Sequence, residues 1–178
     1  MKIVFFLVLA LAVIVLAVPV GAKSESFVMG PYKVSFDMGT VGTHSITTNS
    51  SEKDTFEGTP YTDYVATIKG TPPLEVDMFV RDFHGASRSA DEKKTLEGAM
   101  KSFSFVCGEQ TVVARTIDGK PGAVGVLSCL GSTYYAIRYP LDYSSENDTL
   151  VSEVVIASTY PWDEGTSSLV KTIHVEKS

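Results

Sequence analysis

A carboxylate and an imidazole stand two positions apart in Asp82-Phe83-His84. Alternate side chains of an extended segment share a face, so Asp82 and His84 would point the same way. Such a pair could move a proton or supply one edge of a metal site. The plainer reading is a solvated strand end. His44 and His174 lie far away in sequence, and no Cys-x-x-Cys occurs. The spacings that zinc sites and redox dithiols use are therefore missing. Asp82 and His84 stand as weak polar-site candidates; no catalytic residue, metal ligand or cofactor is expected.

Cys107 and Cys129 are the only cysteines. They flank two apolar runs, residues 111–117 and 123–130, with a Gly/Pro-rich reversal at 118–122 between them. A hairpin folding there would bring the sulfurs to similar heights, and a disulfide is expected if the chain reaches an oxidising compartment. Two small buried thiols are the alternative. Asn49-Ser50-Ser51 and Asn147-Asp148-Thr149 match the N-glycan acceptor pattern in polar stretches, which makes Asn49 and Asn147 glycosylation candidates. Gly119-Lys120-Pro121-Gly122 lacks the Gly-Lys-Ser/Thr ending of a phosphate loop and reads as a turn. No Gly-x-Ser-x-Gly elbow occurs, and Ser128 has no base partner in sequence. The acidic stretch 142–148 lacks the spaced ligands of a calcium loop. Tyr134, Tyr135, Tyr139, Tyr143 and Tyr160 crowd the C-terminal third. They could line a groove for a small ligand, or pack in the core.

The chain has 178 residues and a formal charge of −6. Residues 1–22 hold one charge, Lys2, then an apolar run and the small-residue exit Val20-Gly21-Ala22. This is the pattern of a secretory signal peptide, with an uncleaved membrane anchor as the competing reading. Residues 23–178 suit a single domain with its own core. They carry no Lys/Arg cluster, which argues against a nucleic-acid partner. No later stretch is long and apolar enough to span a bilayer, so any membrane contact would run through residues 1–22.

Elements that would position these residues follow from periodicity. Tyr32, Val34, Phe36 and Met38 alternate with Lys33, Ser35 and Asp37, the pattern of a half-buried strand. Residues 23–29 read as a tether, 43–48 as the hairpin partner of that strand, and 49–60 as a loop. Strands are expected over 63–69, 74–83, 103–107, 133–139 and 153–160. The two runs of the cysteine hairpin are apolar on both faces, which predicts a central, doubly covered position. Ser89 and Glu92 match a capping box for a helix over 89–103, with Leu96, Ala99, Met100 and Phe103 as its apolar stripe. Asp163 would cap a last helix carrying Leu169, Val170 and Ile173, with Trp162 locking it to the sheet.

Two helices and many strands predict an α+β fold. A mostly antiparallel sheet with a helix packed on each face, an α-β-α sandwich, is expected; a closed barrel with flanking helices is the alternative. The segment Gly30-Pro31-Tyr32-Lys33-Val34-Ser35-Phe36-Asp37, the late Asp118-Gly119-Lys120-Pro121-Gly122 hairpin, the exported leader and the closing helix resemble small PsbP-like domains. That resemblance implies the same α-β-α sandwich and a non-catalytic accessory or assembly role. The leading expectation is an exported, non-catalytic binding or accessory domain of the cell envelope, with an envelope protein or a small ligand as its partner. A small extracytoplasmic enzyme using Asp82 and His84, and a structural envelope protein anchored by residues 1–22, are the alternatives.

Overall fold

Alternation of apolar and polar residues dominates the chain, and it folds into two packed antiparallel sheets. The computed structural model describes residues 24–39, 43–49, 51–56, 58–70, 74–101, 107–108 and 110–178. The leader at 1–22 and the strand expected at 103–107, except Cys107, lie outside the described residues, as does Phe103 of the expected helix stripe. In chain order the strands are β1 (Ser24–Met29), β2 (Tyr32–Asp37), β3 (His44–Thr48), β4 (Glu52–Phe56), β5 (Thr59–Gly70), β6 (Leu74–Asp82) and β7 (Arg88–Ser89). Helix α1 (Glu92–Lys101) follows, then β8 (Gln110–Ile117), β9 (Lys120–Cys129), β10 (Ser132–Ser144) and β11 (Thr149–Ser158). A π-helical turn (Trp162–Thr166), helix α2 (Ser167–Thr172) and β12 (His174–Lys177) close the chain.

The large sheet runs β3-β5-β6-β11-β10-β9-β8, with β4 on β5 and β7 on β11; the small sheet runs β1-β2-β12. Inward residues of the large sheet include Ile68, Val76, Met78, Val80, Ile137, Tyr139, Val154 and Ile156. They meet Tyr32, Val34, Phe36 and Val175 of the small sheet, and Leu169, Val170 and Ile173 of the C-terminal segment, in one core. Trp162 packs there against Tyr135, ring centroids 5.6 Å apart. The β-branched residues suit a pleated surface buried on one side.

The expected α-β-α sandwich is not the architecture. The described residues are mostly antiparallel β-sheet, and their two α-helices span 10 and 6 residues. A second sheet supplies most of the inner layer. Residues 24–29, read as a tether, and 174–177 form strands that flank β2. Both are too short and polar for their patterns to stand out. Nor is the large sheet a closed barrel: its path is open, ending at β3 and β8. Strand β3 pairs β5, not β2, and residues 52–56 form a hairpin with β5.

The cysteine hairpin is also less central than its composition predicts. β8 is the edge strand, and Thr111, Val113, Ala114, Arg115 and Thr116 are exposed. Small apolar side chains on both faces of an edge mimic the pattern of a buried strand. The hairpin turn is the two-residue Asp118-Gly119, both at positive φ, which matches strand twist. Asp118 also accepts hydrogen bonds from His174 Nδ1 at 2.8 Å and the Val175 amide at 3.3 Å. The turn thus ties the large sheet to β12.

Candidate functional site

The outer face of the large sheet carries the chain's main concentration of buried charge. Asp63, Arg81 and Glu153 stand in register across β5, β6 and β11, so their side chains share that face. Arg81 donates from Nε and Nη2 to the two carboxylate oxygens of Asp63, both at 2.9 Å. Its Nη1 donates to Glu153 Oε1 at 3.2 Å. Glu153 Oε2 accepts from Arg138 Nη2 on β10, and Arg138 Nε donates to Glu92 Oε2 on α1 at 3.2 Å. Five charged groups from five elements form one line.

Aromatic rings wall this line. Arg81 lies over Tyr61 at 4.1 Å, and Phe56 is approached by Arg81, Arg88 and Arg138 at 5.7, 4.6 and 5.9 Å. Burial alone would lower Arg81, but the hydrogen bonds and charge of Asp63, with Glu153, raise it above its ordinary value. Burial pushes the Glu92 carboxyl up to about 7, the charge of Glu153 adds to the rise, and Arg138 opposes it. Among the described residues, Glu92 Oε1 has no partner. Glu92 opens α1, yet it does not close the expected capping box. Asp91 caps instead, its Oδ1 accepting from the Lys94 amide at 3.1 Å. The Glu92 side chain is free to turn inward, where it is only 3% exposed.

Beside this line is a cavity of about 540 Å³ between α1 and the sheet. Leu96, Ala99 and Met100 form one wall, and Leu127, Tyr134, Tyr135, Ala136, Val155 and Ala157 the other. Its origin is a row of small residues: Gly125, Ala136 and Ala157 stand in register across β9, β10 and β11. A Cβ at Gly125 would strike Met100 Sδ and lie 3.2 Å from Leu96 Cδ2. The glycine therefore sets how closely α1 approaches. Among the described residues, Arg138, 6% exposed, is the one charged residue of the lining. Two smaller clefts, about 270 and 390 Å³, lie beside residues 142–144 with 149–151, and beside residues 43–45 with 69–70.

Cys107 and Cys129 are joined by a disulfide, their Cα atoms 4.4 Å apart, and both line the cavity. A disulfide fits an oxidising, extracellular setting. Asp82 and His84 each have a partner of their own. Asp82 Oδ1 accepts from the His84 amide at 2.8 Å, closing a turn with His84 at φ 55°. Asp82 Oδ2 accepts from Tyr32 Oη at 3.1 Å, and the His84 Nε2 lies 3.1 Å from Thr62 Oγ1. Asn49 and Asn147 are exposed. The tyrosines divide: Tyr134 lines the cavity, Tyr135 borders it but stacks its ring on Trp162 at the core, Tyr139 and Tyr160 are fully buried in the core, and Tyr143 donates to Asp148 Oδ1 at 3.1 Å.

Sequence reasoning missed Asp63, Arg81, Arg138 and Glu153 as parts of a site, and gave Glu92 only a capping role. The available signal was a charge inside an apolar run, as in Ile137-Arg138-Tyr139 and Glu153-Val154-Val155. Among the described residues, no three or more His, Cys, Asp or Glu side chains come together to hold a metal, and no helix is long and apolar enough to cross a membrane. No family model, curated protein or solved structure matches this chain.

Proposed function

We propose that this chain is an exported, non-catalytic binding domain that takes a small, largely apolar molecule in the cavity between α1 and the large sheet. The observation that carries this reading is the cavity itself. Its volume falls in the range of small-molecule sites, and its lining is apolar and aromatic with one charged group, the composition such sites share. Secretion or display at the cell surface follows from the leader pattern at 1–22 and agrees with the disulfide.

The test is a fluorescence titration with 1-N-phenylnaphthylamine, a neutral apolar probe. Saturable binding at one site per chain is expected, with loss of at least tenfold in affinity in Ala157→Trp. Ala157 is exposed at the cavity's rim, so the larger ring fills the site without entering the core. Absent saturation, or binding indifferent to the tryptophan, would defeat the reading.

A further inference from the structure

Resting on that reading, we infer that the molecule bound in the cavity is a monocarboxylic acid with a long apolar body, its carboxylate seated on Nη1 of Arg138. Arg138 is the one charged lining residue among those described and is nine-tenths buried. Its Nε and Nη2 are taken by Glu92 and Glu153. Among the described residues, Nη1 makes no hydrogen bond. A guanidinium has five N–H donors, and Nη1 is the edge of this one that neither Glu92 nor Glu153 occupies. A carboxylate at the end of the apolar space satisfies that edge with charge-assisted bonds, which a hydroxyl or ester does less well.

Charge balance adds a second feature. Three carboxylates, Asp63, Glu92 and Glu153, already face the two guanidiniums of Arg81 and Arg138 along the line. A fourth carboxylate in this dry setting needs a proton taken up by one of the three. Asp63 and Glu153 each accept two hydrogen bonds from arginine, whereas Glu92 accepts one and its Oε1 has no described partner. Charged groups facing Glu92 are Arg138 from β10, Glu153 from β11 and Asp91 from the cap that precedes α1. Arg88 of β7 lies beyond, stacked on Phe56 and Phe83. Burial already holds the Glu92 carboxyl near neutrality, so it is the group that takes the proton. The bound state is then a ligand carboxylate on Arg138 and a neutral Glu92.

The experiment is calorimetric titration of the disulfide-bonded protein with dodecanoate and with dodecan-1-ol at pH 6 and pH 8, in buffers of differing ionisation enthalpy. Dodecanoate is ionised at both values. It is expected to bind about tenfold more tightly at pH 6, with uptake approaching one proton at pH 8. Dodecan-1-ol is expected to show no pH dependence. Glu92→Gln, which keeps the shape and removes the charge, should bind dodecanoate at pH 8 as tightly as the parent does at pH 6. If phenylnaphthylamine itself fails to bind, the cavity reading falls and this inference with it. If the probe binds but dodecanoate is no tighter than the alcohol at pH 6, the carboxylate assignment alone is overturned. An unaltered pH dependence in Glu92→Gln would overturn the role of Glu92 as the proton acceptor.

Discussion

At Glu153 two arginines from neighbouring strands meet one carboxylate that is 2% exposed. Removing one partner of a buried ion pair is more damaging than replacing the whole set, because the survivors keep their desolvation penalty. Glu153→Gln should therefore lower the unfolding free energy by about 3 kcal/mol. Urea denaturation monitored at Trp162 measures it, and a loss below about 1 kcal/mol would show that water reaches the arginines. Glu92 gives a pH signature of opposite sense to an ordinary salt-bridged acid. Its carboxyl is raised to about 7 by burial, so the folded state binds more protons than the unfolded state between about 4.5 and 7. The stability it contributes is complete below that window and is lost as pH rises through it. Glu92→Gln should flatten this slope and make the protein more stable than the parent at pH 8, by on the order of 3 kcal/mol. The ion line could not be read from the chain, because it depends on which strands are neighbours. Asp63, Arg81 and Glu153 are far apart in sequence and become one row only through the β5-β6-β11 register.

The helices and turns show where local chemistry is legible and where pairing decides. α1 was readable from Leu96 and Met100, which do face the sheet, and its start was displaced only from Ser89 to Asp91. The alternation in β2 and the late apolar strands was equally plain. What alternation cannot supply is the partner of each strand, and so β1, β4 and β12 were missed and β8 was placed too centrally. One turn departs from its usual chemistry. Leu130 and Gly131 join β9 to β10 with both φ values positive, 50° and 82°, and Leu130 is 93% exposed. Asparagine tolerates this conformation far better than leucine. Leu130→Asn is expected to stabilise the protein by about 0.5–1 kcal/mol, read as a higher denaturation midpoint at unchanged slope. A destabilised variant would mean that the leucine makes a contact which offsets its backbone strain.

Across the whole molecule, two sheets share one core on the inner face, while the outer face holds the ion line and the cavity. Closure of that outer face rests on α1 and on the disulfide at the cavity's edge. Replacing Cys107 and Cys129 by alanine should lower stability by about 3 kcal/mol, the entropic estimate for a loop of this length. Calorimetric unfolding of the oxidised and double-alanine proteins checks it; equal stabilities would mean that the bond constrains little in the unfolded chain. The account turns on where a ligand sits, and side-chain methyl NMR with phenylnaphthylamine addresses that directly. Shifts are predicted at Leu96, Met100, Leu127 and Val155, with the core methyls of Val34, Ile137 and Val154 unmoved. Shifts centred on residues 142–151 or 43–45, or none at all, would contradict it.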